Sequence, residues 1–305
     1  MEDIFIGPNE KEKYINPFTD YGFKRLFGEE INKDLLMDFL NELLRDEVGT
    51  ITELTYLKNE LLGSKIIDRG AIFDIYCKNE KGESFIVELQ KAKQDFFKDR
   101  TVFYSTFPIR EQAQKGTWNY KLNAVFTVGI LDFVFEDDKK DTNKYRYDVK
   151  LCDIETHKVF YDKLTFIYLE MPKFNKPISE LKTKFDKWLY VLRNLYRLNN
   201  LPDSMRERVF EKVFEVAEIA KFTASEELTY EASLMHYRDM NNVIDTAFSD
   251  GEIKGKAEGK AEGKYEEKRT IAINALKMNI DNKIIEQITG LSQLEIEDIR
   301  NEIKE

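Results

Sequence analysis

The hydrophobic pattern predicts an α/β chain: a mixed sheet flanked by helices in the order α-β-β-β-α-β, followed by a helical C-terminal region. Three observations carry this expectation. Apolar residues recur at helical spacing over residues 18–44, short runs rich in aromatic and β-branched residues follow at 51–57, 71–77 and 85–90, and the texture turns helical after Met171-Pro172. A helix over 95–114 and a strongly apolar strand over 122–131 complete the order.

The opening segment places Phe23, Leu26, Phe27, Leu35, Leu36, Phe39, Leu40, Leu43 and Leu44 at helical spacings, and Gly28 and Asn32 break it into two pieces. Asp20 stands just ahead of it, where an acid is ordinarily an N-cap contributing about 1 kcal/mol. The runs 71–77 and 85–90 are joined by Lys78-Asn79-Glu80-Lys81-Gly82-Glu83, a hairpin connection, so they are expected to pair antiparallel. Residues 146–154 and 166–169 read as further strands, joined through the turn-like Glu155-Thr156-His157.

Residues 178–198 carry Leu181, Phe185, Trp188, Leu189, Leu192 and Leu195 on one helix face, and helices continue over 206–222 and 226–248. Stripes of this kind are core, and no cofactor site is read there. Gly251, Gly255, Gly259 and Gly263 then recur at every fourth position. Each costs a helix about 1 kcal/mol relative to Ala, so the stretch is a flexible tether or a close helix contact, the tether being the simpler. Residues 280–303 have the spacing of a helix-turn-helix unit around Thr289-Gly290-Leu291-Ser292. Its second helix carries Glu295, Glu297, Asp298 and Glu302, which repel phosphate and favour packing or self-association into a homo-oligomer over DNA reading. Three regions result: 1–172, 173–250 and 251–305.

Composition narrows the class. With 305 residues, 42% hydrophobic and 34% charged, the chain can bury a substantial core. The segment 1–14 lacks a basic n-region and an apolar h-region, and no run reaches membrane-spanning length, so a cytoplasmic protein without membrane contact is expected. Cys77 and Cys152 make neither a disulfide framework nor a zinc knuckle and are expected in the core. His157 and His236 are isolated, and neither a nucleophile-elbow nor a phosphate-loop motif occurs. A net charge of −10 excludes a broad nucleic-acid surface, so any DNA contact must be local. The basic residues nearest the candidate site are Lys91, Lys93, Lys98, Arg100 and Arg110.

The chemistry is expected at Asp74 and Glu88. An ionised acid on an otherwise apolar strand costs several kcal/mol unless it is paired or binds metal. Across an antiparallel ladder the two come together, and two adjacent carboxylates repel unless a cation joins them; oxygen donors with open water positions suit Mg²⁺ or Mn²⁺. Alternation puts Gln90 on the strand face of Glu88 and Lys91 on the other.

These residues resemble the PD-(D/E)XK nuclease superfamily, in which an Asp on one strand and Glu-x-Lys on the next hold a metal against a phosphodiester. The Glu88-Leu89-Gln90 variant, preceded by Asp20-Tyr21-Gly22-Phe23-Lys24-Arg25-Leu26-Phe27, is similar to the Rpn family of recombination-promoting nucleases and transposases. The resemblance covers most of the chain. It implies a restriction-endonuclease-like core and a metal-dependent deoxyribonuclease of the endonuclease type, acting on DNA in recombination, mobile-element or defence contexts. It also implies metal binding by Asp74, Glu88 and the Leu89 carbonyl, with Gln90 orienting a water. Gln90 supplies no cation where the superfamily pattern has Lys, so Lys24, Lys93 or Arg100 is the candidate source, with Tyr104 one helical turn after Arg100 and Asp20 as an accessory acid. Two other classes stay open: a degenerate nuclease fold serving as a DNA-binding or assembly module, and a toxin-like nuclease released by a partner or by self-association.

Overall fold

The computed structural model describes Phe5 and residues 11–61, 71–113, 118–136 and 140–304. The chain divides into two compact units, Met1–Met240 and Asn241–Glu305. Among the described residues no helix is long and apolar enough to cross a membrane.

The first unit opens with α1 (Asp20–Phe27), α2 (Lys33–Leu43) and the short α3 (Arg45–Val48), with the expected break at Gly28 and Asn32. Thr19, not Asp20, is the N-cap of α1: its Oγ1 accepts from the Gly22 amide at 2.9 Å. Asp20 is thereby the first helical residue and its carboxylate is left for other work. Gly22 is required by crowding, since a Cβ there would sit 2.2 Å from the Asn16 carbonyl oxygen and 2.8 Å from Thr19 Oγ1.

A six-stranded sheet follows. Its strands are β1 (Leu54–Tyr56), β4 (Ile75–Asn79), β5 (Ser84–Gln90), β6 (Val125–Leu131), β7 (Arg146–Cys152) and β8 (Val159–Glu170), in the spatial order β1-β4-β5-β6-β8-β7. A separate pair is formed by β2 (Glu60–Leu61) and β3 (Ala71–Ile72). As expected, β4 and β5 pair antiparallel, with Ile75 opposite Val87 and Cys77 opposite Phe85. The β5–β6 and β6–β8 pairs are parallel, and β7 closes one edge antiparallel to β8.

Helices cover both faces, as a sheet with buried central strands requires. On one face Phe85, Val87, Phe126, Val128, Ile167 and Leu169 join the main core with α1, α2, α5 (Lys184–Asn194) and α6 (Arg208–Ala217). Trp188 lies at the centre of that layer, with ring centroids 5.2–5.9 Å from Phe27, Phe39 and Phe210. On the other face α4 (Phe97–Glu111) packs through Phe107 against Phe73, Tyr76 and Ile86, and Phe97 packs against Phe135 and Tyr168. Among the hydrogen bonds that hold α4 to the sheet are Thr101 Oγ1 to the Tyr168 hydroxyl at 2.7 Å and the Tyr76 hydroxyl to Glu111 at 2.6 Å.

Three expectations need correction. The run 71–77 is two strands, because Phe73 donates its amide to the Asn59 carbonyl at 2.8 Å and the chain bends at Asp74 before β4 begins. Asp74 therefore precedes the strand instead of lying on it. Cys77 is buried as expected, but Cys152 is exposed, since the end of β7 lacks a covering layer. The segment 251–263 is helical: α7 (Ala224–Lys277) runs unbroken through all four glycines. The Ala, Lys and Glu between them are strong helix formers, and i,i+4 pairs such as Glu252–Lys256 at 2.5 Å assist. The expected helix end at Gln114 and most of the 1–14 segment lie outside the described residues.

The second unit packs the end of α7 with α8 (Asn282–Thr289) and α9 (Gln293–Lys304) around Ala272, Ala275, Ile285, Leu291, Ile296 and Ile299. The turn between the last two helices is built on Gly290, whose φ of 69° is the left-handed conformation that suits glycine. A Cβ at Gly251, Gly255, Gly259 or Gly263 would meet nothing within 4 Å.

Two stability outcomes follow. Gly22→Ala must displace backbone, and urea melts should show a loss of about 1–3 kcal/mol. Replacing the four α7 glycines by Ala should instead stabilise the helix, by about 1 kcal/mol per site at most, read as a higher thermal midpoint and greater helicity by circular dichroism. A loss of stability there would mean that the stripe is a packing surface.

Candidate active site

The site begins where the β4–β5 ladder stops. Ile75 opposite Val87 is its last rung, and the next would give the Leu89 amide a carbonyl of residue 73. That carbonyl is not there, because Asn59 draws the chain away, accepting from the Phe73 amide and donating its Nδ2 to the Asp74 carbonyl at 2.9 Å. Asp74 takes its place: Oδ2 accepts from the Leu89 amide at 2.8 Å, while the Asp74 amide donates to Glu88 Oε1 at 3.3 Å. The two acids are thus held in a reciprocal clamp across the hairpin. A hydrogen bond to an ionised carboxylate contributes about 1.5–3 kcal/mol, which offsets part of the cost of keeping these charges together.

Glu88 is only 6% exposed. Burial first, then the Asp74 charge, pushes its carboxyl up to about 8, against the opposing pull of the Asp74 amide and Arg100. Burial also raises Asp74, with Asp20 adding repulsion and the Leu89 amide, Lys24 and Lys91 opposing. Asp74 Oδ1 and Glu88 Oε2 accept no hydrogen bond among the described residues. In extended backbone the carbonyl of a residue points to the same side as its amide, so the Leu89 carbonyl is on the Asp74 side of β5. Two carboxylates and a carbonyl, all hard oxygen donors with mutual repulsion to relieve, fit a divalent cation that keeps several waters. Among the described residues no third His, Cys, Asp or Glu completes a cage.

The remaining candidates fall into three groups. Gln90 is buried on the α4 face of β5, donating Nε2 to the Ala92 carbonyl at 2.8 Å and accepting at Oε1 from Arg100 Nη2. Arg100 also donates to Gln94 at 2.6 Å and stacks on the rings of Phe97 and Tyr104. Tyr104 packs edge-on against Phe73, and burial, with Glu88 beside it, raises its phenol. These residues gather on one side of the acids.

On the other side Lys91, with a nearly buried side chain, pairs with Asp20 at 2.6 Å. Burial works to raise the Asp20 carboxyl, but the Lys91 hydrogen bond and charge outweigh it and hold the group below the usual range. Asp20 and Lys24 line a cleft of about 350 Å³ shared with Ser233 and His236. Alternation does put Lys91 on the face opposite Gln90, yet its link to Asp20 was not visible in the sequence, because it needs α1 and β5 side by side.

Lys93 pairs with Glu136 at 2.9 Å on the surface. Lys98 sits over the Phe135 ring and Arg110 over Phe107. The basic residues after Gln90 thus face several directions and form no single stripe. Asn59 and Gln94 were missed altogether; neither stands out by composition or spacing.

A family model described as PD-(D/E)XK nuclease family transposase matches residues 17–247. The chain belongs to that family. The mixed sheet flanked by helices is consistent with the PD-(D/E)XK fold, and the membership supports a nuclease or transposase-like function. The matched span of this PD-(D/E)XK protein holds Asp20, Asp74, Glu88, Gln90 and Arg100, and ends before Gly251. No match was found among curated proteins or solved structures.

The clamp has a pH signature. An acid whose folded pKa exceeds its unfolded value binds more protons when folded, so stability falls as pH rises between the two values. In EDTA the thermal midpoint should therefore decline as pH rises from about 4.5 to about 8, the ordinary and folded positions of Glu88. Glu88→Gln should flatten that decline. Asp74→Asn should raise the midpoint at pH 8 by removing one charge while its side-chain oxygen still accepts from Leu89; a lowered midpoint would show that the charge itself is stabilising.

Proposed function

We propose that this protein is a divalent-metal-dependent deoxyribonuclease that hydrolyses internal phosphodiester bonds, with Mg²⁺ or Mn²⁺ held by Asp74, Glu88 and the Leu89 carbonyl. The observation that carries this reading is the Asp74–Leu89–Glu88 clamp. The ion supplies a Lewis acid for a phosphoryl oxygen and lowers the pKa of a water at neutral pH. Asp74 and Glu88 set its position, and the Leu89 amide fixes the orientation of Asp74. Gln90, secured at both ends of its amide, positions Arg100, whose guanidinium brings to the β5 face the positive charge that an amide lacks. Tyr104 stacks beneath that guanidinium and walls the acids from solvent on the α4 side. Lys24, exposed at the cleft beside Asp20, is suited to a neighbouring phosphate. Because Lys91, Lys93, Lys98 and Arg110 are engaged within the chain, DNA contact rests on few residues near the site. A role in recombination, mobile-element or defence contexts accords with such chemistry.

One observation favours a second reading, a binding module without catalysis. The position following Glu88-Leu89 is Gln, and both ends of its amide are occupied inside the chain.

Cleavage of supercoiled and linear DNA in Mg²⁺, Mn²⁺ or EDTA separates the two. Metal-dependent nicking should fall roughly a hundredfold or more in Asp74→Ala and in Glu88→Ala, and about 10- to 100-fold in Arg100→Ala. Folded wild-type protein that binds DNA but shows neither nicking nor calorimetric metal binding would establish the binding module.

A further inference from the structure

Phe96, the cap of α4, carries two costs at once. It is a bulky residue held at a φ of 63°, in the left-handed region that such side chains rarely adopt, and it is 78% exposed. Backbone strain of this kind persists where the surroundings enforce it, and it collects at ligand sites. Here the enforcement is visible: the Phe96 carbonyl accepts the Arg100 amide at 2.9 Å, and the Gln94 carbonyl accepts the Phe97 amide at 3.3 Å. Phe97 itself is buried with Phe135 and Tyr168, so the ring that faces solvent is held on a fixed support.

The basic residues after Gln90 make no stripe by themselves, but one of them stands between exposed rings. Arg100 and Phe103 follow Phe96 at i+4 and i+7, positions that share a helix face. At 1.5 Å per residue the two phenylalanines are about 10 Å apart along the axis, with Arg100 between them. Phe103 is 41% exposed and meets Phe107 and Tyr104 with ring centroids 5.2 and 6.4 Å away. Tyr104 packs in turn on Phe73, the residue before Asp74, so the rings form a ledge that leads to the acids. Arg100 gives its hydrogen bonds to the neutral amides of Gln90 and Gln94, and its Nε has no acceptor among the described residues. Its charge therefore has no carboxylate partner there. Asp99 belongs to the other flank of α4, where it lines a groove with Lys98 and Val102.

We propose that Phe96 and Phe103 are base-stacking residues and that the DNA taken by this site is a strand with unpaired bases, whose phosphate lies at Arg100 while bases on either side stack on the two rings. Ring, guanidinium, ring is the complement of base, phosphate, base, and Arg100 is anchored to Gln90 beside the acids, which makes a nucleic-acid strand the occupant. Paired bases are hidden in the duplex stack, so these rings have nothing to meet on intact double helix. A chain with a net charge of −10 and few cations at its site also grips a duplex poorly through phosphates alone, whereas stacking needs no charge. The proposal rests on the reading of the site as one that acts on DNA, and it names the form of that DNA.

The test is fluorescence anisotropy with labelled single-stranded and duplex oligonucleotides of one sequence, on the full chain in EDTA, so that binding is read without cleavage. Wild type should bind the single strand at least about tenfold more tightly than the duplex. Phe96→Ala and Phe103→Ala should each weaken single-strand binding roughly 5- to 100-fold and leave duplex binding unchanged. The dependence of affinity on salt should keep its slope in both, because a ring releases no counterions. Phe96→Trp should retain wild-type affinity. Phe96→Gly, unstrained in the left-handed backbone, should melt above Phe96→Ala yet bind the single strand as poorly, a pairing that a merely structural role would not give. Circular dichroism identifies any variant that fails to fold; if Phe103→Ala does, the Phe96 series decides. Equal affinity for the two forms of DNA, no binding to either, or single-strand binding that survives in both Phe96→Ala and Phe96→Gly overturns the proposal. Nicking in Mg²⁺ is scored apart. A protein that nicks while its Phe96 variants bind normally loses the stacking site and keeps the nuclease reading; one that binds single strands through Phe96 and never nicks does the reverse.

Discussion

The Asp74 carboxylate on the Leu89 amide is the contact on which the candidate site depends. It occupies the position of a missing ladder rung, and in doing so turns a hairpin into a scaffold for two acids. Had β4 continued past Ile75, residue 73 would bond Leu89 and the Asp74 side chain would stand off the α4 face. The bend instead draws the carboxylate into the plane of the sheet, beside the Glu88 that follows from β5. Asn59 enforces the bend from the segment after β1, so a residue with no chemistry of its own sets the geometry.

Around that contact, electrostatics is divided between two sides of β5. On the main-core side Lys91 neutralises Asp20, and on the α4 side Arg100 is anchored to Gln90 and Gln94. Neither cation forms an ion pair with Asp74 or Glu88. The acids are left to repel each other in a poorly solvated place, an arrangement that costs stability in the free protein and that a hard cation would relieve. Local conflict of this kind is expected where function and folding compete.

Much of the fold was legible in the sequence, for physical reasons. Helical spacing over residues 18–44 and alternating or continuous apolar runs in β4, β5 and β6 report burial directly, and the Asn79–Gly82 turn sets the hairpin register that brings residue 74 opposite residue 88. Two of the misses share a cause, a contact between distant segments overriding a local preference. Thr19 displaced Asp20 as cap because Gly22 packs on the Asn16 carbonyl. The segment 71–77 broke because Asn59 competes for its backbone. The glycines of α7 stayed helical because their neighbours are strong helix formers, the one case where local preference was underweighted.

By itself, the sequence determined the layer order, the pairing of β4 with β5 and the two candidate acids. Those follow from hydrophobic periodicity and from the rarity of carboxylates in apolar surroundings, which are properties of short windows. Only the tertiary structure decided which oxygen of Asp74 is engaged, that Lys91 serves Asp20, that Arg100 reaches Gln90 while Lys93 turns to Glu136, and that β7 ends the sheet with an open edge. Each of these depends on how whole elements pack, and even Gln90 and Arg100, only ten residues apart, lie on a strand and a helix whose mutual placement no local pattern specifies.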